Sequence, residues 1–290
     1  MRDIQLKDVG LVLEGGGMRG IYTAGVLEAF MENNFYVPYV IGVSAGACQG
    51  ASYLSRQKGR NSRAMLDFIG DPRYLSYKNY LRNRELFGMD LLFDEIPNQL
   101  LPFDFKTFHE VQDRFYIGTT DMETGEALYF EKNDFPNETL HFLRASSSLP
   151  FISHPYLFQE RLLLDGGLSD PIPLKKSIQD GNTRNIIVLT QNPGYQKRKS
   201  MFEWAVKKAY RKYPGLVNVI NNRVEIYNET LDLIASEEKQ GRAFVIRPQT
   251  KLNLGSLGKN RRKLNDVYEL GIAEGYVAYE SLLEWLGISS

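Results

Sequence analysis

The chain predicts an α/β fold, a three-layer α/β/α sandwich around a mostly parallel sheet. Two observations carry this. The first 60 residues read strand–turn–helix twice over, a βαβα opening that calls for parallel pairing. Apolar runs too short for helices, Val9–Leu13, Tyr39–Val43 and Asn185–Thr190, have the continuous Val/Ile/Leu character of strands buried on both faces.

Taken in order, Val9–Leu13 stops at Glu14 and three glycines. Ile21, Ala24, Leu27 and Met31 then share one face of a helix. Tyr39–Val43 follows Pro38 and ends in Gly42-Val43-Ser44-Ala45-Gly46, after which a helix runs to about Arg56. Asp71–Phe105 mixes aromatic and basic residues, with one short helix near 90–100. It reads either as a lid or acyl-chain wall over the sheet or as an ordinary cover. Phe115–Thr119 and Ala127–Phe130 flank a turn at Glu123-Thr124-Gly125. Asn137–Ser147 is helical, and Tyr156–Phe158 with Arg161–Leu164 forms a hairpin. Helices at about Ser200–Tyr213 and Gly215–Gln240, a strand at Ala243–Arg247 and a closing helix at Arg261–Leu286 complete the reading. No repeat or linker interrupts it, so one domain over 1–290 is expected, with a catalytic core at about 9–175 and a C-terminal part at about 185–290.

Composition narrows the function. The chain has 290 residues, 43% of them hydrophobic, and 35 basic side chains balance 35 acidic ones. Such a chain buries a large core and lacks the basic excess of a nucleic-acid binder. One cysteine, Cys48, excludes a disulfide framework and a cysteine-based metal cluster, and no Cys/His metal spacing or HExxH occurs. Cys48 is expected to be a small buried apolar residue. No apolar run reaches the roughly 20 residues of a membrane span, and no secretory leader is read. The expectation is a cytoplasmic protein, free or peripheral to the inner face of the membrane, without metal or cofactor.

Three motifs carry chemistry. In Gly42-Val43-Ser44-Ala45-Gly46 the serine sits between strand and helix, the setting of a nucleophile elbow. The helix behind it aims its N-terminal N–H groups at the reacting oxygen. A glycine turn with a capping serine is the plainer alternative. Gly15-Gly16-Gly17-Met18-Arg19-Gly20 matches a dinucleotide fingerprint by pattern, but that use requires an acidic residue at the end of the second strand, where Ser44 stands. Backbone amides of Gly16, Gly17 and Met18 are better suited to an oxyanion hole. Arg19 adds charge or braces the loop. Asp165-Gly166-Gly167 ends a hairpin strand and offers a carboxylate, or only a turn.

The activating base is the discriminating question. The three histidines, His109, His141 and His154, all precede Asp165, so an order Ser…Asp…His is impossible. A direct Ser44–Asp165 dyad remains. An aspartate near pKa 3.9 is a poor base, so desolvation of Asp165 and a strong oxyanion hole are required.

The ordered set G-G-G-x-R-G, G-x-S-x-G and D-G-G resembles the patatin-like phospholipases from about Leu11 to Pro173, with the sheet continuing to Arg247. The resemblance implies a lipid acyl hydrolase with Ser44 as nucleophile, Asp165 as base and Gly15–Gly20 as oxyanion loop. Its substrate would be a fatty-acyl ester. Ala145-Ser146-Ser147-Ser148-Leu149-Pro150 resembles the family's A-S-x-A-x-P segment, with Ser148 replacing alanine. Glu14 stands where many members carry Asp, and Asp170-Pro171 where plant members have Asn-Pro. A catalytically weak lipid-binding relative is the alternative from another functional class. Lys197–Tyr213 is strongly basic. On a helix, Phe202, Val206, Ala209 and Tyr213 would form its core face, with Trp204 among the lysines opposite. That face suits transient contact with anionic lipid, or is simply a solvated surface.

Overall fold

Alternation along each strand divides two cores, and the helices follow that division. A computed structural model describes residues 6–199 and 201–288, with Phe202 described by its backbone alone. In β1 (Val9–Leu13), Leu11 and Leu13 point into one apolar layer and Val12 into the other. The same alternation holds in β2 (Tyr39–Val43), β3 (Arg114–Asp121) and β7 (Arg184–Val188). β4 (Ala127–Glu131), β5 (Tyr156–Phe158), β6 (Arg161–Asp165) and β8 (Ala243–Ile246) complete an eight-stranded sheet. Its order is β5-β6-β3-β2-β1-β7-β8, with β4 paired to β3. The block β3-β2-β1-β7-β8 is parallel throughout, and the β4 and β5–β6 additions are antiparallel.

One layer holds α1 (Ile21–Glu32), α2 (Ala45–Leu54), α3 (Arg60–Leu66) and α10 (Arg261–Leu286). The insertion before β3 joins it. That insertion contains α4 (Tyr77–Asn83), a π-helix at Leu91–Leu100 and α5 (Phe105–Glu110). The opposite layer is built from α7 (Leu174–Gln179) and α9 (Pro214–Lys239). α8 (Met201–Ala209) packs Val206 against the start of α9, and α6 (Thr139–Ser146) leads to the segment before β5.

The one-faced pattern expected of α1 is exceeded: every residue from Ile21 to Met31 is buried. The reason is α10, which covers the outward side of α1 and is tied to it by Tyr22 Oη donating to Glu274 at 2.6 Å. α10 starts where Asn260 caps the Lys263 N–H at 3.0 Å. β8 extends the sheet beside β7, so the C-terminal third completes both the sheet and one helical layer.

Short helices escaped the sequence reading. α3, α4 and α7 are each six or seven residues long, too brief to show a period. The helix expected to reach Tyr213 ends at Ala209, and the chain turns before Pro214 opens α9. Ala209 is therefore exposed rather than core, and Tyr210 packs in its place. The π-helix forms near the expected 90–100, and its wide turn is seen in Leu101 N–H donating to Ile96 O at 2.8 Å.

Candidate active site

Two strands meeting end to end along β3 create the site. β2 runs parallel to β3 and stops with Val43 opposite Gly118. β6 approaches antiparallel along the same edge and stops with Asp165 opposite Thr119, while β4 occupies the other edge. The residue after Val43 and the last residue of β6 are thus held face to face by adjacent positions of one strand. Ser44 follows, with φ 53° and ψ −127°, a left-handed conformation rarely taken by a non-glycine residue. This is a strained strand-to-helix turn, the backbone setting that a nucleophile elbow requires, and α2 begins at the next residue.

The turn closes because Gly46 has no side chain: a Cβ there would lie 2.5 Å from Leu13 O. Ser44 N–H donates to Ser146 Oγ at 2.7 Å, and Ser146 Oγ donates to Gly118 O at 2.6 Å. The Ser44 hydroxyl stands close enough to the Asp165 carboxyl to pull its pKa down, and that carboxylate accepts the Gly167 N–H at 2.8 Å. The backbone of Asp165 is fixed by its N–H to Ser148 O at 2.9 Å. The segment Ser146–Ser148 therefore braces both residues.

Burial raises the Asp165 carboxyl to about 6, against the opposing pull of Ser44, Gly167, Arg223 and Lys197. The desolvation demanded of a carboxylate base is present. Among the residues lining the cavity at Ser44 there is no histidine. His109 ends α5 against Phe108, and burial and Lys132 lower its imidazole; His141 pairs with Glu138 at 2.5 Å; His154 contacts Asn83 O at 2.8 Å.

The glycine run lies beside Ser44: a Cβ built on Gly15 would stand 3.2 Å from Ser44 Cβ. Gly17 has φ 57°, and a side chain there would strike Ser256 O at 2.5 Å. The run's amides are not equivalent. Gly15 N–H donates to Pro171 O, Met18 N–H to Ser256 O and Arg19 N–H to Gly16 O. Those of Gly16 and Gly17 have no acceptor among the described residues. Of the three amides expected from the sequence as donors, two are left without an acceptor, because the loop around Ser256 claims Met18. Gly20 closes the run against Ala45 at the start of α2, and Gly166 lies over Gly118 O.

Sequence reasoning did not give Glu14 its place. It is buried, accepting Tyr227 Oη at 2.6 Å, Thr190 N–H at 2.5 Å and Thr190 Oγ1 at 3.1 Å. Burial raises its carboxyl, opposed by those bonds and by Arg19. Arg19 lines the cavity, with its Nε buried and unpartnered among the described residues. Cys48 also lines the cavity, half-buried, with Sγ 3.8 Å from Ser147 Oγ; burial pushes its thiol up to about 11. It packs against the main core and also faces the cavity.

Two cations were missed as site residues. Lys197, counted in the basic run, precedes α8 and lines the cavity; Arg223 reaches it from α9. A motif search near Ser44 cannot find them, since they lie 153 and 179 positions further along the chain. The cavity itself is about 490 Å³. The segment 71–105 lines it with Tyr74, Phe87, Met89, Leu92, Phe93 and Ile96. Among the described residues no group of three or more His, Cys, Asp or Glu is placed to hold a metal, and no helix is long and apolar enough to cross a membrane.

With this geometry in view, a family profile described as patatin-like phospholipase matches residues 11–177. The chain belongs to the patatin-like phospholipase family. A second profile, a domain of unknown function (DUF6363), matches residues 213–287 of this patatin-like protein, the span of α9, β8 and α10. YjjU of Escherichia coli strain K12 is 28% identical over 282 residues, covering 93% of this chain and 77% of YjjU. Lysophospholipase NTE1 of Scheffersomyces stipitis is 25% identical over 291 residues, and lysophospholipase nte1 of Aspergillus niger 30% identical over 173. The matches cover 93% and 57% of the patatin-like chain, but only 18% and 10% of those fungal proteins. Among solved structures, VipD of Legionella pneumophila aligns with TM-score 0.47 at 12% identity, over 95% of this chain and 67% of that one.

Proposed function

We propose that the protein hydrolyses fatty-acyl esters, of the phospholipase A, lysophospholipase or carboxylesterase type, through Ser44 and Asp165. The observation that carries this reading is the Ser44 hydroxyl set against a desolvated Asp165, beside the two unbonded glycine amides and inside a largely apolar cavity. Asp165 accepts the Ser44 proton as Oγ attacks the ester carbonyl. The Gly16 and Gly17 N–H groups stabilise the resulting oxyanion, and each such donor is worth on the order of 10²–10³ in rate. Asp165 returns the proton to the leaving alkoxide. Water then attacks the acyl-enzyme with Asp165 again as base, releasing the fatty acid and restoring Ser44. Gly42 and Gly46 keep the elbow tight, Val43 and Ala45 flank the nucleophile, and Gly166 and Gly167 orient the base.

The lysophospholipase names of the fungal relatives favour a lipid substrate. Trp204 is 60% exposed and Met201 78% exposed on α8, and Lys208 lies over the Trp204 ring at 5.4 Å. α4 presents Tyr77 and Leu81 outward, and its Tyr80 neighbours Tyr210 just beyond α8. This apolar and basic surface is suited to transient contact with an anionic membrane.

A fluorophosphonate probe tests the assignment. Mass spectrometry should place the adduct on Ser44, and Ser44→Ala should abolish labelling together with hydrolysis of a lysophospholipid panel. Labelling elsewhere, or turnover by Ser44→Ala, refutes it.

A further inference from the structure

The apolar arm of the cavity lies between α2, α3 and the segment 71–105, and its two sides differ. The segment lines it with Tyr74, Met89, Leu92, Phe93 and Ile96. The α2 side is mixed. Ala45, Cys48, Gln49 and Ser52 face the cavity at the three- and four-residue spacings that keep side chains on one face of a helix. α3 opens beside them and adds Arg60 and Asn61. At a rise of about 1.5 Å per residue, Ser52 lies roughly 12 Å along the helix axis from Ser44.

That polar patch is deeply placed and poorly partnered. Gln49 and Asn61 are each 4% exposed, and Ser52 and Arg60 each 6%. Asn61 Nδ2 donates to Gln49 O at 3.1 Å, which joins α3 to α2. The Gln49 amide has the Met65 sulfur 3.6 Å from its Nε2, a weak acceptor, and its Oε1 is buried without a partner among the described residues. Arg60 is the anomaly. Its Nε is likewise buried and unpartnered, and among the described residues no carboxylate pairs with its guanidinium. The guanidinium lies 5.3 Å from the centre of the Phe103 ring. Burial, and then the charge of Arg63, bring it down to about 10, so it stays protonated at neutral pH. Arg63 is itself turned to Asp67, at 3.3 Å. Cys48, the other titratable group beside Arg60, is a neutral thiol at that pH. An unpaired cation in such a place is costly until an anion joins it.

We propose that Arg60, supported by Gln49, Ser52 and Asn61, is a subsite for a carboxylate at the far end of the acyl chain, so that the esters delivered to Ser44 are half esters of dicarboxylic acids. The inference rests on the acyl-hydrolase reading above and names the acyl group. The planar guanidinium fork matches a planar carboxylate, and one positive charge balances one negative charge. The two amides and the hydroxyl supply neutral hydrogen bonds to its remaining lone pairs. A phosphate dianion would leave one charge unmatched. A plain hydrocarbon chain of the same length would strip water from Arg60 and return nothing, so the patch also selects against it. The reaction consumes one water. The ester C–O bond breaks, the hydroxyl of water joins the acyl carbon, its other proton goes to the leaving alcohol, and the far carboxylate is unchanged.

Nitrophenyl half esters of hexanedioic, octanedioic and decanedioic acid, each compared with the plain acyl ester of equal length, test this. At the best-fitting length the wild-type kcat/KM should favour the half ester by about tenfold or more, as expected of a charge-assisted pair. No preference at any length overturns the subsite. Arg60→Met should cut the preference by about tenfold, and Arg60→Lys should restore part of it. A purely structural Arg60 would depress both esters together and leave the ratio unchanged, which also overturns it. If Arg60→Met does not fold, Gln49→Leu decides in its place: the ratio should fall by about threefold, as for one neutral hydrogen bond, and an unchanged ratio overturns the subsite. Calorimetry with Ser44→Ala keeps the test independent of turnover. Monomethyl octanedioate should bind at least about tenfold more tightly than methyl octanoate, and Arg60→Met in that background should erase the difference. Equal affinities overturn the subsite. If acetate alone binds as tightly as monomethyl octanedioate, the chain-end assignment is overturned in favour of a free-anion pocket. If the wild type cleaves neither ester of any pair while Ser44→Ala still shows the carboxylate-dependent affinity, it is the hydrolase reading that fails and the subsite that stands.

Discussion

Ser146 Oγ joins the backbone of Ser44 to the backbone of Gly118, accepting from one at 2.7 Å and donating to the other at 2.6 Å. A positive-φ residue at the tip of β2 is thereby pinned to the neighbouring strand by a side chain from α6.

Ser146→Ala leaves a buried N–H and a buried C=O without that partner, each worth about 1–3 kcal/mol. The melting temperature should fall by several degrees, and kcat for a soluble ester by about tenfold as the elbow loses its support. Differential scanning calorimetry and steady-state kinetics on one preparation check both. A variant as active and stable as the wild type removes the brace from the account.

Ser44→Ala and Asp165→Asn should each lower ester turnover by at least about 10³ with circular dichroism unchanged. Replacement of all three histidines should leave the reaction running. A single silencing change at His109 would defeat the dyad.

The Asp165 carboxyl at about 6 sets a pH dependence. The base must be ionised, so kcat/KM should rise with pH through about 6 and then level off. Lys197 and Arg223 both pull this group down, so Lys197→Met should move the inflection to higher pH. An inflection near 4 in the wild type would show the aspartate to be solvated.

Stability runs the other way. The folded-state value lies above the ordinary carboxylate value near 3.9. The folded protein therefore holds this proton more tightly than the unfolded chain does. The associated stability is complete below pH 3.9 and is lost as pH rises through about 6, a difference of about 3 kcal/mol as an upper figure. Asp165→Asn should accordingly melt above the wild type at pH 8 and close to it at pH 4. Calorimetry at the two pH values decides it, and a lower melting temperature at pH 8 contradicts the burial argument.

Chain-length preference should follow the apolar arm. Leu92 is half-buried on the π-helix and lines the cavity. Leu92→Trp should shift kcat/KM toward shorter acyl chains by about tenfold between butanoyl and myristoyl esters, given roughly 0.8 kcal/mol per methylene that no longer fits. An unaltered profile would place the chain elsewhere. For the membrane surface, Trp204→Ala should reduce sedimentation with anionic vesicles, and the remaining association should weaken with salt.

The motifs around Ser44 were legible because each is turn chemistry: glycines where Leu13 O and Ser256 O approach, and a serine and an aspartate at strand ends. The strands were legible from Val, Ile and Leu runs such as Asn185–Val188. Lys197 and Arg223 were not, because their place depends on α9 crossing beneath the strand ends, which no local pattern encodes. Nor was the donor bond from Met18 to Ser256, which joins residues 238 positions apart. Ala209 was misplaced because helical periodicity was carried beyond the point where the chain turns toward Pro214.

If Ser44 and Asp165 act as proposed, the abutment of β2 and β6 on one edge of β3 makes competence all-or-nothing. β6 is held to β3 through the three pairs Thr119–Asp165, Thr120–Leu164 and Asp121–Leu163. A newly made or partly opened chain in which that short seam has not zipped carries its serine without a proton acceptor. On the proposed mechanism such a chain cannot cleave an ester until the last antiparallel strands dock, so the sheet itself acts as the safety catch on that chemistry.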